Sequence, residues 1–455
     1  MKKFLLGVLA LVALLIIGGA TFLAVAPPER LLVATNFAAK IVCSNSYMVG
    51  RDPQEVLEND IVPVDPSLQI VTVSNDDATR TTTASMLGLF AKARATHTPG
   101  AGCRNVYPGQ DTTPLPGAQA DDAGELTIEA AIDAAMQSII ENDELTGPGW
   151  RAVLIMKDGK VVAERYADGF DATTPLLGWS MTKTVTAAII GRLEQQAVLS
   201  REDTGLFNTW RGDTRTRVSV ADLLGMASGL EWDEGYAAVS DVTRLLYLEP
   251  QPAAYVTAKP LNEADGSRIG QDFNYSSGTS VLLSRYWADK VAAAREAGRD
   301  LPPTALYPEQ ALFDPIGMES AVIEGASDAF IGGSYMYAPA REWALFGDFL
   351  LNDGRAKGQQ LLPPGYADWM FEPHPASDGS YARGHLWVEP PRPRDFRGEP
   401  IPETLAEVRW LAGHDGQSVA LLRDQNTVIV RLGFTPSRLN YRPEKLAEAV
   451  LEALN

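Results

Sequence analysis

The sequence predicts an α/β protein: an antiparallel sheet flanked by helices, an all-helical lobe packed against it, and an N-terminal transmembrane helix in front. Three observations predict it. Strand-like runs joined by short turns occur at 151–164 and again at 418–431, the section 180–350 between them has mostly helical periodicity, and an unbroken uncharged stretch follows Lys2 and Lys3. Sheet pieces at both ends with helices between them place the two ends side by side in one sheet and the middle in a lobe against it. A cleft is expected where sheet and lobe meet.

Taken in chain order, Lys2 and Lys3 precede an uncharged, mostly apolar run over residues 4–26. At about 1.5 Å per residue such a run covers a hydrocarbon core of about 30 Å. The positive residues favour leaving that end in the cytoplasm and sending the rest across. Ala24-Val25-Ala26 also has the form of a signal-peptide cleavage site, but the run exceeds an ordinary signal core and Pro27-Pro28 would follow the cut. Residues 1–26 are therefore expected to be a retained membrane anchor, with secretion after signal cleavage as the alternative. Either way the body of the chain is expected to be extracytoplasmic, and periplasmic in a Gram-negative cell.

The two cysteines, Cys43 and Cys103, are an isolated pair in a chain that leaves the reducing cytosol, so a disulfide is expected, with two independent buried thiols as the alternative. Residues 27–125 lack strong periodicity and hold turn-rich patches at 98–102 and 113–117, which reads as an irregular extension stapled by that pair. The 121–124 patch reads as a linker, and the main domain is expected over 126–455. Its first helix would be capped by Thr127, with Ile128, Ile132, Ala135, Met136, Ile139 and Ile140 on one stripe. Two strands then flank Asp158-Gly159, a dipeptide suited to a tight turn at positive φ. The clearest helices of the middle section are 181–196 and 277–294. Residues 424–426 join two late strands, and a helix over 443–454 closes the chain.

Composition narrows the function. A formal net charge of −19 and a pI near 4.7 oppose binding to a phosphate backbone, so nucleic acid is not an expected partner. Four histidines and two cysteines without C-x-x-C or H-E-x-x-H spacing give no metal cage, and no metal is expected.

The chemistry-bearing segment is Gly178-Trp179-Ser180-Met181-Thr182-Lys183. With a helix starting at or just after Ser180, Lys183 lies one turn on and on the same face, where its amine reaches the hydroxyl. A serine hydroxyl is a weak nucleophile until a base takes its proton, and a buried lysine with a lowered pKa can do so. S-x-x-K alone is more often a helix cap beside a solvated lysine, but here it is the chain's only such tetrapeptide and two further elements follow in order. Tyr275-Ser276-Ser277 supplies a phenol able to carry a proton to a leaving group; a lone tyrosine would more often be a core residue. Gly413-His414-Asp415-Gly416-Gln417 leads into a strand, where the glycines let a substrate approach and the Gln417 N–H can join an oxyanion hole; the bland alternative is a plain turn.

The ordered set Ser180-Met181-Thr182-Lys183, Tyr275-Ser276-Ser277 and His414-Asp415-Gly416 resembles the serine beta-lactamase and penicillin-recognising superfamily, in its class C-like branch. The segment 218–230, with Ala227-Ser228-Gly229-Leu230 at its end, is similar to a further motif of that branch. The resemblance runs from about residue 126 to the C-terminus and lies nearest to 6-aminohexanoate-dimer (nylon oligomer) hydrolases. It implies a beta-lactamase-like fold, an acyl-enzyme route and no cofactor. Many members carry asparagine at the position of Ser277, and beta-lactamases and DD-peptidases usually carry lysine at that of His414. That lysine helps to hold a substrate carboxylate, so its replacement points to a small linear amide or an ester rather than a beta-lactam.

A Ser-His-Asp hydrolase using His414 is disfavoured because the chain has no G-x-S-x-G elbow. From other classes, a catalytically silent cell-wall or ligand-binding module and an acyltransferase share the same fold-level pattern. Oligomeric state and the role of 27–125 are left open by the sequence.

Overall fold

The computed structural model describes residues 2–110, 128–236, 239–262, 268–396 and 398–455. The chain divides into two compact units, one made of 1–98, 103–113 and 235–250, the other of 99–102, 114–234 and 251–455.

The first unit opens with helix α1 (Lys2–Val25) and helix α2 (Glu29–Met48). Phe4, Leu5, Leu6, Leu9, Leu11 and Leu14 of α1 are exposed. Among the described residues no helix is long and apolar enough to cross a membrane, so the expected transmembrane helix is present as a helix but without support as a span. Residues 27–125 were expected to be irregular, and the described part of them is not. Four antiparallel strands, β1 (Val71–Asp76), β2 (Thr81–Met86), β3 (Phe90–Thr98) and β4 (Gly102–Val106), form a sheet in sequence order. The reason the pattern was faint is chemical. The buried face of β3 is Ala91, Ala93 and Ala95, small residues with little strand preference. On α2 the buried set includes Thr35, Asn36, Ser44 and Asn45, each satisfied by a side-chain bond to the helix carbonyl four residues back. Cys43 of α2 and Cys103 of β4 form the expected disulfide.

The second unit holds a five-stranded antiparallel sheet. Its strands are β5 (Trp150–Lys157), β6 (Lys160–Tyr166), β7 (Arg409–Ala412), β8 (Ser418–Leu422) and β9 (Thr427–Gly433), in the order β7-β8-β9-β5-β6. The β9–β5 pairing, with Ile429 opposite Ile155 and Val430 opposite Leu154, joins the two ends of the domain as expected. The β5–β6 turn places Asp158 at φ 50° and Gly159 at φ 74°. Period-two alternation sends Val153, Ile155, Ala420 and Ile429 to one face, where Met136 and Ile140 of α3 (Ala134–Glu141) and Leu446 and Val450 of the last helix (Pro443–Leu454) bury them. The cap of α3 is Asp133, which accepts from the N–H groups of Ala135 and Met136. Thr127, expected to be that cap, and the 113–117 and 121–124 patches lie outside the described residues. The opposite sheet face is covered by the helix Ala340–Leu351, where Gly347 allows a close approach: a Cβ there would lie 2.6 Å from Val428 Cγ1.

In the helical part, α4 (Thr182–Gln195) buries Val185, Ala187, Ala188, Ile189, Ile190 and Leu193 and is enclosed on nearly all sides. A helix so surrounded holds its side chains in fixed rotamers. The other long helix, α5 (Ser277–Glu296), begins at the second motif, capped by Ser276, whose hydroxyl accepts from the Thr279 N–H.

Candidate active site

Ser180 lies in a short 3-10 turn, Trp179–Met181, and α4 starts at the next residue. The turn is tight: Trp179 has φ 48°, a left-handed value unusual for a bulky residue. It is held by the Gly178 N–H, which donates to the Met336 carbonyl at 2.9 Å. Ser180 remains partly exposed, whereas Lys183 has 0% exposure.

From that buried position the Lys183 amine reaches three oxygens. Nζ lies 3.0 Å from Ser180 Oγ, 2.9 Å from Ser277 Oγ and 2.7 Å from the Gly333 carbonyl. Burial pulls its pKa down from the usual lysine value to about 8, against the opposing pull of the Glu234 charge. The Tyr275 ring centroid is 5.0 Å from Nζ, and the ring is backed by Trp387 at 5.2 Å and Tyr381 at 5.8 Å. Burial raises the Tyr275 phenol above its usual value and the Glu234 charge adds to this, while a hydrogen bond with Ser180 acts the other way. The sequence-expected trio of Ser180, Lys183 and Tyr275 thus converges, and Ser277 joins it.

The third motif adjoins the first. Gly413 packs so closely on the Gly178 carbonyl that an added Cβ would lie 2.3 Å from its oxygen. The His414 ring meets the Trp179 ring edge-on at 5.9 Å, and His414 Nε2 lies 3.6 Å from Asp415 Oδ1. Asp415 and Gly416 both take positive φ, 55° and 83°. The Gln417 side chain braces this turn: Nε2 donates to the Gly433 carbonyl at 2.5 Å and Oε1 accepts from the Gly433 N–H at 2.8 Å. Arg431 braces it from beneath, donating to the Gly416 carbonyl at 3.1 Å.

Sequence reasoning missed Glu234. Its Oε1 accepts from Ser277 Oγ at 2.5 Å, and its Oε2 accepts from the Ser277 N–H at 2.8 Å and from Trp232 Nε1 at 2.6 Å. Trp232-Asp233-Glu234 carries no motif, so no sequence signal pointed there. Gly333 was missed because its contribution is a backbone carbonyl, although the Gly332-Gly333 pair marks a close approach: a Cβ on Gly333 would lie 3.0 Å from the Ser277 carbonyl. Among the described residues no group of three or more His, Cys, Asp and Glu side chains is arranged to hold a metal.

A serine in a tight turn ahead of a buried helix, with a lysine and a tyrosine converging on it beside an antiparallel sheet, is the arrangement that an α/β serine hydrolase needs. The beta-lactamase family pattern matches residues 143–449, and the chain belongs to that family. No curated protein matches it. Solved structures similar to it include a Bacillus anthracis protein described as a 6-aminohexanoate-dimer hydrolase, 18% identical over 72% of this chain and 86% of its own, with a TM-score of 0.54. A family VIII carboxylesterase is 14% identical over 72% of this chain and all of its own, with a TM-score of 0.53. A hydrolase with promiscuous acyltransferase activity is 16% identical over 70% and 97%, with a TM-score of 0.52. At these identities the likeness is one of fold.

Proposed function

We propose that this chain cleaves a small amide or ester through an acyl-enzyme on Ser180, with Lys183 as the base and Tyr275 as the proton carrier. The observation that carries the reading is the buried Lys183 amine, 3.0 Å from Ser180 Oγ with its pKa lowered to about 8. In acylation the neutral amine takes the Ser180 proton as Oγ bonds to the substrate carbonyl carbon. The carbonyl oxygen becomes an oxyanion, met by the Gln417 backbone N–H and by the N–H of Ser180 itself. Collapse breaks the bond to the leaving group, which receives the proton through Tyr275. In deacylation a water gives up its proton along the same route, its oxygen bonds to the acyl carbon, and Ser180 Oγ regains a hydrogen.

His414 in place of a lysine, with Arg431 committed to carbonyls, favours an acyl part without a carboxylate over a beta-lactam. A fluorophosphonate probe is expected to label the protein, and Ser180→Ala to abolish labelling; a mutant that labels as well as the parent contradicts the assignment. If the parent neither labels nor turns over esters, amides or D-amino-acid peptides yet still binds them, a silent binding module replaces the enzyme reading.

We also infer that the domain works outside the cytoplasm, held by its N-terminal segment. Lys2, Lys3 and the apolar run after them support this, as does the Cys43–Cys103 bridge. Protease added to spheroplasts is expected to digest the domain, and full protection until lysis contradicts export.

A further inference from the structure

We propose that Glu234 is a positioning residue that aims the Lys183 lone pair at Ser180, acting through the hydroxyl of Ser277. The proposal rests on the acyl-enzyme reading above and adds a residue which that reading leaves without a task.

A neutral primary amine has two hydrogens and one lone pair, and Lys183 Nζ has three oxygens around it. The Gly333 carbonyl, 2.7 Å away, can only accept and therefore takes one hydrogen. Ser277 Oγ, 2.9 Å away, is ambivalent, because a hydroxyl both donates and accepts. Were its hydrogen turned toward Lys183, it would occupy the lone pair, the second amine hydrogen would point at Ser180, and no base would face the nucleophile.

Glu234 removes that ambiguity. Oε1 lies 2.5 Å from Ser277 Oγ and takes its hydrogen. Ser277 then accepts from Lys183, the second amine hydrogen is used, and the lone pair falls toward Ser180 Oγ at 3.0 Å. The carboxylate is itself fixed, since its other oxygen faces two N–H donors, Ser277 N and Trp232 Nε1. The arrangement depends on residue 277 being a serine, because an asparagine carbonyl there would accept from the amine without outside help.

The other titratable groups around the amine are Tyr275 and His385. Burial raises the phenol, and burial together with the Lys183 charge holds His385 well below its usual value, so neither carries charge near neutral pH. Glu234 is the group whose charge favours protonated Lys183. Replacing it therefore has two opposite consequences: the base is neutral at lower pH, yet it is no longer aimed.

The test is the rate of acylation by a fluorophosphonate probe across pH, for the parent and for Glu234→Gln, Ser277→Asn and the double variant, with Ser180→Ala alongside. Glu234→Gln is expected to acylate about 100-fold more slowly, within the range of a base contribution, while its acid limb moves to lower pH. Half-saturation by an ester substrate should change less than about 3-fold, as for a group acting on the transition state rather than on binding. Ser277→Asn placed in the Glu234→Gln background is expected to recover at least about 10-fold of the loss. Glu234→Gln acylating at the parental rate, or a loss that Ser277→Asn does not relieve, overturns the proposal. Where Glu234→Gln alone fails to fold, Ser277→Asn and the double variant carry the test: equal rates support the proposal and a gap above about 10-fold contradicts it. Labelling that survives Ser180→Ala overturns the underlying hydrolase reading. An unlabelled Ser180→Ala beside a normal Glu234→Gln overturns the positioning role alone.

Discussion

Gly413 has φ −114°, a value any residue adopts, so its missing side chain matters for contact rather than for backbone freedom. A Cβ would sit 2.3 Å from the Gly178 carbonyl oxygen, two residues before Ser180. Gly413→Ala must push the strand edge and the Ser180 turn apart, and a displacement of about 1 Å at a reacting group costs about 100-fold in rate. We expect kcat/KM on an ester to fall by about that factor while the protein stays folded by circular dichroism; an unimpaired variant contradicts the described contact. The proximity of Ser180 and Lys183 was legible because a helical turn relates them directly. Tyr275 became legible only through the order of motifs. Glu234 was not legible at all: it lies 43 residues before Ser277, and its place at the site is decided by tertiary folding.

At the scale of elements, the sequence was clearest where a turn has its own chemistry. Asp158-Gly159 supplies consecutive positive φ values between strands that pair as expected, and the helix Pro443–Leu454 has the bounds its periodicity indicated. It was least clear in the first unit, where alanines and self-bonded polar residues replace the apolar alternation that marks strands and helices. The bridge from α2 to β4 fixes that unit independently of the weak pattern. Its 60-residue separation closes a loop worth about 4 kcal/mol in the chain-entropy account. The first helix of the main domain shows the limit of cap reading, for Asp133, six residues beyond Thr127, makes the capping bonds.

At the scale of the whole second unit, the β9–β5 pairing makes the sheet continuous and sets the two ends of the domain side by side. The low pKa of Lys183 is likewise a property of the assembled unit. An exposed lysine near 10.4 is almost wholly protonated at neutral pH, and it is complete burial that brings the amine to about 8. In the proposed mechanism the neutral amine is the working form, so acylation is expected to rise with pH through that value and level off above it. The acylation rate of Ser180 by an ester or a phosphonate, followed from pH 5 to pH 10 in the parent, Lys183→Ala and His414→Ala, tests this most directly. The account predicts an inflection at about 8 that is kept in His414→Ala, and no acylation in Lys183→Ala. Acylation that persists in Lys183→Ala, or an inflection near the ordinary histidine value of about 6.5 that disappears in His414→Ala, would contradict it.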